Sequence, residues 1–222
     1  MTSTTADTSG LRFDRVSIAL NGRPLLAVDR SIAPGEVLTV MGPSGSGKST
    51  LLAFAAGFLD PVFEAEGRIV LAGTDITDDP PERRGMGLLF QDPLLFPHMS
   101  VGGNLMFGLR GSLSGAAART EAVRQALAEV GLGEFAERDP ATLSGGQKAR
   151  VALMRTLLSE PRALLLDEPF SKLDTKRRGQ VRALVFGEAA KRRLPVLLVT
   201  HDPADAEAAG GPCIELDGLA AT

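Results

Sequence analysis

The sequence has no tryptophan, no tyrosine and a single cysteine, Cys213, in 222 residues. One cysteine excludes an intramolecular disulfide and a cysteine-rich zinc site, and it suits a reducing compartment. No apolar run approaches the roughly 18 residues that a membrane-spanning helix needs. The first ten residues, MTSTTADTSG, have neither the basic start nor the apolar centre of a secretory signal. We therefore expect a disordered tail over residues 1–10, on a cytosolic chain that reaches a membrane only through a partner protein.

Basic residues are not in excess, because 24 Lys and Arg stand against 27 Asp and Glu, for a net charge of -3 at pH 7. Domains that bind nucleic acid are normally basic, so we expect no nucleic-acid partner. Hydrophobic residues make up 44% of the chain and charged residues 23%, which is typical of a globular protein with a core. The length suits one sizeable α/β domain that carries a subdomain.

Four short apolar runs do not alternate with polar residues, which predicts strands of a parallel sheet covered on both faces. They occupy residues 37–41, 86–90, 163–166 and 196–200. Each run is followed by residues that can carry chemistry, namely GPSGSGKST, Gln91, Asp167-Glu168 and His201 in that order. Because ligands bind beyond the carboxyl ends of parallel strands, we predict that these groups converge on one site.

The remaining segments indicate how the domain is organised. Residues 92–158 have helical patterns without an evident strand, with apolar residues at i, i+3, i+4 and i+7 from Val123 to Val130. We interpret them as a helical subdomain inserted in the core of a single domain over residues 11–222. An antiparallel pair of strands is predicted within the first 33 residues, joined by a turn at Asn21-Gly22.

The segment GPSGSGKS fits the phosphate-loop pattern G-x-x-x-x-G-K-[ST] in full. Its glycines let backbone N–H groups wrap phosphates, and the following helix adds its positive end. Lys48 is expected to reach the β- and γ-phosphates, and the Ser49 hydroxyl to hold Mg²⁺. A chance glycine-rich turn is the alternative, but the flanking apolar strand and helix favour nucleotide binding. The predicted ATP-binding residues of this segment are Gly42, Pro43, Ser44, Gly45, Ser46, Gly47, Lys48, Ser49 and Thr50.

The carboxylate pair after the third run suits two different roles. Asp167 is expected to hold Mg²⁺ opposite Ser49, and Glu168 to polarise a water for attack on the γ-phosphate. The alternative is that Asp-Glu-Pro only opens a turn. We expect His201 to contact the γ-phosphate and Gln91 to hold a water or Mg²⁺.

A glycine pair, Gly145-Gly146, stands where a helix is predicted to begin. Ser144 and Gln147 form the S-x-x-Q pattern of a capping box, which leaves the glycines as a cost of about 1 kcal/mol each relative to alanine. Gly102-Gly103 occupies a similar position after Ser100, and we assign it no nucleotide role.

Five segments in order, GPSGSGKST, LLFQDP, LSGGQ, LLLDEPFSKLD and VTHD, resemble the ATP-binding cassette (ABC) transporter ATPases. The resemblance implies a P-loop NTPase (RecA-like) α/β core with an N-terminal antiparallel β region and an inserted helical subdomain. It implies hydrolysis of ATP with Mg²⁺, with Glu168 as the base, His201 as the switch histidine and Gln91 as the coupling glutamine. It also implies a head-to-tail homodimer in which one subunit contacts the ATP of the other through Leu143, Ser144, Gly145, Gly146, Gln147 and Asp174.

The resemblance further implies integral membrane permease subunits, an extracytoplasmic solute-binding protein and a peripheral position on the cytoplasmic face of the inner membrane. AGFLDP and PPERRGMGLLFQDPLLFPHMSV are most similar to bacterial importers of thiamine and related small solutes. The alternatives are an exporter ATPase, a non-transport ABC protein that acts as a nucleotide-driven clamp, and a small-molecule P-loop kinase. Since the chain ends soon after residues 213–216, we expect no C-terminal regulatory domain.

Two segments depart from the family pattern or leave a choice open. Family members usually stack adenine on an aromatic side chain of the first hairpin, where this chain has Leu20. Phe13, the nearest aromatic residue, is out of register. We therefore expect Leu20 to cover the purine by apolar contact, with weaker discrimination among purine nucleotides. The apolar loop after Gln91, which contains Leu95 and Phe96, is expected either to pack beneath the helical insert or to accept a helix of the permease.

Overall fold

The computed structural model describes residues 10–111 and 113–216, and it confirms an α/β fold with one antiparallel and one parallel sheet. The nine strands of the described residues are β1 Leu11–Leu20, β2 Arg23–Ile32, β3 Val37–Met41, β4 Phe63–Leu71, β5 Thr74–Asp75, β6 Met86–Leu89, β7 Ala163–Asp167, β8 Val196–Val199 and β9 Cys213–Glu215. The six α-helices of the same residues are α1 Lys48–Ala56, α2 Val101–Gly108, α3 Ala116–Glu129, α4 Gly145–Leu157, α5 Thr175–Lys191 and α6 Pro203–Ala209.

The parallel sheet has the strand order β6-β7-β8-β3-β9, and its neighbours pair in parallel. The four predicted apolar runs all lie in it. Successive residues of these strands enter two different core clusters, as Leu164 and Leu166 enter one and Leu165 the other. Both faces are therefore covered, which explains why the runs do not alternate with polar residues. The shared strand direction brings the four carboxyl ends to one edge.

The antiparallel sheet has the order β2-β1-β4-β5. The predicted turn between β1 and β2 is confirmed, with positive φ angles of 52° at Asn21 and 72° at Gly22. The sequence prediction did not include β4, whose alternation of apolar and charged residues is interrupted at Gly67. A side chain at Gly67 would lie 2.4 Å from the carbonyl oxygen of Arg15, so the strand needs glycine where β1 bulges toward it. β4 runs antiparallel to β1 and places Phe63 directly opposite Leu20.

Helices α2, α3 and α4 lie between β6 and β7 in the chain, within the segment for which a helical insert was predicted. The residues of the predicted helical face from Val123 to Val130 are buried, which confirms their periodicity. They share one core cluster with the β7 residue Leu164 and with α5. The limits of this segment as a subdomain, residues 92–158, stay a prediction.

Residues 1–9 of the predicted tail lie outside the described residues. Gly10, which we also placed in the tail, is buried, and its carbonyl oxygen accepts a hydrogen bond of 2.8 Å from the Ala72 amide. The folded part therefore includes Gly10. Across residues 10–111 and 113–216, no helix combines the length and the apolar character needed to cross a membrane.

Candidate functional site

The phosphate loop connects β3 to α1, as predicted, and its shape requires glycine. Gly47 precedes α1 with φ 90° and ψ 6°, in the left-handed region. A Cβ at Gly47 would lie 2.7 Å from Cδ2 of Leu26 and 2.9 Å from Cγ of Leu25. A side chain at Gly47 would therefore have to displace both leucines of β2, in addition to adopting the left-handed backbone conformation. The Ser46 hydroxyl is buried and has no hydrogen-bond partner among the described residues, so it is one donor that a ligand of the loop would satisfy.

Lys48, the first residue of α1, lies folded back over the loop. Its Nζ donates hydrogen bonds of 2.7 Å to the Gly42 carbonyl and 2.8 Å to the Pro43 carbonyl. The side chain is buried, which concentrates its charge at the N-terminal end of α1, where the helix dipole is also positive. The loop thus combines an ammonium group, backbone N–H groups and a buried hydroxyl, a set suited to phosphate oxygens.

Asp167, at the end of β7, lies against α1. The Ser49 hydroxyl donates a hydrogen bond of 3.3 Å to Asp167 Oδ1, which brings together the two residues predicted to hold Mg²⁺. Burial raises the pKa of Asp167, the neighbouring charge of Glu168 adds to this rise, and the Ser49 hydrogen bond and the Lys48 charge oppose it. A cation at this position would relieve the cost of holding the carboxylate charged.

Glu168 and His201, at the ends of the neighbouring strands β7 and β8, contact each other. His201 Nδ1 lies 2.9 Å from Glu168 Oε1, within hydrogen-bond distance. Glu168 has a positive φ of 46°, which is uncommon for a residue with a Cβ and costs of the order of 1 kcal/mol. Its amide is nevertheless held by a hydrogen bond of 2.9 Å to the Val199 carbonyl. The backbone therefore fixes a strained carboxylate beside the imidazole, as strained residues are often held at active sites.

Gln91 lies at the same edge of the sheet, two residues beyond the end of β6. Its side chain is exposed, and it is outside the cleft that the phosphate loop forms. Its neighbour Asp92 accepts a hydrogen bond of 2.6 Å from Nζ of Lys172, in the loop after β7. This ion pair joins the loops that follow β6 and β7. The predicted role of Gln91 toward water or Mg²⁺ stays a prediction.

A cleft of about 420 Å³ opens along the phosphate loop. Its lining includes the predicted base contact Leu20, together with Leu25 of β2 and Phe63 of β4, which sequence reasoning missed. The signal for Phe63 was present in the apolar-charged alternation of β4, which we did not recognise as a strand. Phe13 is fully buried, in agreement with its exclusion from the site. The residues of this loop cleft are Leu20, Leu25, Ser44, Gly45, Gly47, Lys48, Ser49, Thr50, Phe63 and Glu168.

The predicted capping box at the start of α4 is present. Ser144 accepts a hydrogen bond of 3.4 Å from the Gln147 amide, and Oε1 of Gln147 accepts one of 2.8 Å from the Ser144 amide. Leu143 is buried and anchors this end of the helix. Gly145 and Gly146 have no positive φ. A Cβ at Gly145 would come no closer than 3.5 Å to another residue, and at Gly146 no closer than 3.6 Å, both ordinary contacts.

The signature segment, residues 143–147, lies against the start of α5. A Cβ at Gly145 would meet Leu173, and one at Gly146 would meet Arg177. Asp174, between these two residues, caps α5 by accepting a hydrogen bond of 3.0 Å from the Arg177 amide. The structure therefore groups the signature with Asp174. Neither lies in the loop cleft, which groups Lys48 and Ser49 with Glu168.

Comparisons with known proteins agree with the motifs. The chain is 47% identical over 194 residues to the "Uncharacterized ABC transporter ATP-binding protein YnjD" of Escherichia coli K12, covering 87% of this chain and 89% of the relative. It is 44% identical over 190 residues to the "Thiamine import ATP-binding protein ThiQ" of Haemophilus influenzae, covering 85% of this chain and 87% of the relative.

A third relative is the "Putative 2-aminoethylphosphonate import ATP-binding protein PhnT" of Salmonella typhimurium, 45% identical over 205 residues, which cover 90% of this chain and 54% of the relative. The chain thus spans about half the length of that protein. The family model described as ABC transporter matches residues 25–171. The chain is a member of the ABC transporter family.

Proposed function

We propose that the chain is the ATP-hydrolysing subunit of a bacterial ABC importer, converting ATP and water to ADP and phosphate. The observation that carries this proposal is the contact between Glu168 and His201 beside the Ser49–Asp167 pair, at the mouth of a phosphate loop. A binding protein for nucleotides would need the loop alone. The additional groups at the strand ends, Asp167, Glu168 and His201, are of the kinds that ATP hydrolysis uses.

Ser49 and Asp167 fit Mg²⁺ because both present hard oxygen ligands, and this ion commonly takes only one or two protein ligands beside water and phosphate. When bound, Mg²⁺ neutralises charge on the transferring phosphoryl group. The proposal keeps Gln91 as a further ligand of the ion or of the attacking water.

Glu168 acts as the general base in this proposal. A water on the γ-phosphate side transfers a proton to the Glu168 carboxylate as its oxygen attacks phosphorus, and the bond to the ADP oxygen breaks. In the same proposal, His201 orients that carboxylate through its 2.9 Å contact and contacts the γ-phosphate. Lys48 and the N-terminus of α1 stabilise the charge on the leaving phosphates.

The signature requires a second copy of the chain. Gly145 and Gly146 cost α4 stability, although no contact among the described residues excludes alanine there. Their glycine identity suits the approach of an external group, and a helix N-terminus favours an anion. We infer a head-to-tail homodimer in which the signature and Asp174 of one subunit contact the ATP bound by the other.

The relatives' names support import, with integral membrane permease subunits and an extracytoplasmic solute-binding protein as partners. The proposed place is the cytoplasmic face of the inner membrane, with no nucleic acid. Of the loop residues considered for permease contact, Leu95 packs against the core, and the ring of Phe96 contacts that of Phe107 edge-to-face with centroids 4.7 Å apart. The exposed apolar side chains beside them are Leu94 and Phe107, at 57% and 64% exposure. We therefore assign the permease contact to these two.

The substitution Glu168→Gln tests the proposed base. It keeps the shape of the side chain but removes the proton acceptor, so we expect ATP hydrolysis to fall by about 10²- to 10⁴-fold. ATP affinity should change little, and a closed dimer should accumulate with ATP in size-exclusion chromatography.

The matched control is Glu160→Gln, because Glu160 also has a positive φ, of 52°, but lies after α4 and outside the loop cleft. It should hydrolyse ATP like the unmodified protein. Near-normal turnover by Glu168→Gln would contradict the assignment of the base.

A further inference from the structure

We propose that Phe63 is the stacking platform for the base of the bound nucleotide, in place of the aromatic residue that the first hairpin lacks. This inference rests on the proposed ATP-binding function and adds a residue that determines how the base is held. It also revises the prediction that Leu20 alone covers the base.

The position of Phe63 follows from strand pairing. Phe63 begins β4 and lies directly opposite Leu20, the last residue of β1. Directly opposed residues of an antiparallel pair have Cβ atoms about 5 Å apart. The two side chains therefore form one continuous surface, and both line the loop cleft. The turn before β4 fixes its start, because the Phe63 amide donates a hydrogen bond of 3.0 Å to the Asp60 carbonyl.

The loop cleft has two chemically different parts. Lys48, Ser49 and Glu168 line the part that the parallel sheet and α1 supply. Leu20, Leu25 and Phe63, all from the antiparallel sheet, line the other part, which we call the apolar end. Phosphates belong with the charged and hydroxyl groups, so the base of the same ligand must extend toward the apolar end.

Stacking is the interaction that the apolar end can offer. The side chains of Leu20, Leu25 and Phe63 carry no hydrogen-bond donor or acceptor, so they cannot distinguish the edges of different bases. A phenylalanine face stacks on any base, because every base has a π-face. We therefore assign the site to nucleoside phosphates, with little preference between adenine and guanine.

Among the described residues, Phe63 is the one phenylalanine that lines this cleft. The sequence contains no tyrosine or tryptophan that could replace it. Its side chain is half-buried, packed at one side against the core cluster of the antiparallel sheet. A ring held in this way loses little further freedom when a base stacks on it.

The test measures affinities of the purified chain for ADP, GDP and inorganic pyrophosphate, each with Mg²⁺, by isothermal titration calorimetry. None of these probes is turned over. Phe63→Leu removes the π-face while keeping an apolar side chain, so the fold should be retained. We expect the Kd for ADP and for GDP to rise by roughly 5- to 100-fold, with the Kd for pyrophosphate unchanged.

Two further variants complete the test. Phe58→Leu is the matched control, because Phe58 is 47% exposed, lies just beyond the other end of α1 and does not line the cleft. It should leave all three affinities unchanged. Adding Leu20→Tyr to Phe63→Leu supplies a ring from the opposing strand, and it should restore part of the lost affinity for ADP and GDP.

The possible failures are distinguishable. If Phe63→Leu bound ADP with the same Kd as the unmodified protein, the stacking role would be overturned, but the proposed ATPase function would still stand. An equal loss of ADP and pyrophosphate affinity would show that Phe63 supports the fold of the cleft, and this result would also overturn the role. If the unmodified chain bound none of the three probes, both the proposed function and this inference would be refuted.

Discussion

Two glycine pairs lie in the first turns of two helices, offset from each other by one residue, and they differ in what surrounds them. Ser100 caps α2 and Ser144 caps α4, each by accepting a hydrogen bond from the amide three residues on. A Cβ at Gly102 would lie 3.0 Å from the Ala136 carbonyl oxygen. At Gly146, the equivalent position, the nearest atom would be Cδ of Arg177, at 3.6 Å. Packing therefore opposes a side chain at Gly102, whereas among the described residues only ordinary contacts would meet one at Gly146.

The difference separates two reasons for placing glycine in a helix. At α2 the reason is packing, because the helix approaches the loop that precedes α4 and the Gly102 amide donates a hydrogen bond of 2.7 Å to the Ala136 carbonyl. At α4, no close contact among residues 10–111 and 113–216 explains the glycines. The proposed head-to-tail dimer would explain them by a contact with a second subunit.

The largest effect is expected from Gly146→Asp. If the second glycine pair were only part of the helix cap, this substitution would leave ATP hydrolysis unchanged, and the comparison would fail. A carboxylate at the helix N-terminus favours the helix, so the fold should be retained. It should repel the γ-phosphate of the partner's ATP, so we expect hydrolysis to fall by at least about 100-fold, with ATP affinity of the monomer unchanged.

Steady-state phosphate release and calorimetric ATP titration measure the two quantities. Gly187→Asp is the control, because Gly187 is exposed, lies in α5 and has space for a side chain. It should hydrolyse ATP normally. Normal hydrolysis by Gly146→Asp would remove the signature from the proposed mechanism.

A pair of alanine substitutions sharpens the comparison at a smaller scale. Gly146→Ala should raise the free energy of unfolding by up to about 1 kcal/mol, because alanine favours a helix and its Cβ fits. Gly102→Ala should lower it by about 1 kcal/mol, because its Cβ would press on the Ala136 carbonyl oxygen. Urea denaturation of the monomer without nucleotide measures both. Changes of the same sign at the two positions would show that packing does not distinguish them.

The smallest effect concerns Asp167, because the cost of burying its charge is only partly offset by Ser49 and Lys48. Its pKa is raised by burial, so the folded state binds its proton more tightly than the unfolded state does. The fold is therefore penalised as pH rises above the ordinary value of 3.8. Asp167→Asn should be more stable than the unmodified protein without nucleotide, by a margin that grows from pH 4 toward neutrality.

Thermal unfolding across this pH range measures the margin. Glu215→Gln, which removes an exposed carboxylate from β9, should show no such pH dependence. Excess Mg-ATP should reverse the order for Asp167→Asn, since the ion stabilises only the carboxylate form. A constant margin across the range would contradict the assigned role of burial.

The sequence predicted those parts of the molecule that local patterns determine. The four central strands, the phosphate loop and the capping box at Ser144 depend on neighbouring residues, and each was predicted close to its observed position. The convergence of Ser49 and Asp167 on one site was also predicted, because parallel strands end at one edge, and the two side chains are in contact.

The missed features depend on residues far apart in the chain. Phe63 acquires its place from pairing with β1, more than forty residues earlier. Arg84 is buried, although its neighbour Arg83 is exposed. The Arg84 guanidinium donates to the carbonyls of Phe54 and Ala55 at the end of α1, at 2.8 and 3.1 Å. No local pattern distinguishes these two adjacent arginines, because tertiary packing alone decides which one is buried.

The origin of the loop cleft from two sheets also affects how such a protein can change over evolutionary time. Mutations in the antiparallel sheet can alter how the base is held without disturbing the strand ends that carry Asp167 and Glu168. Under the proposed binding mode, a ring on either strand would face the same base, because Leu20 and Phe63 lie directly opposite each other. In this architecture the proposed base contact and the proposed phosphate chemistry are therefore open to separate substitution, because they lie on different sheets.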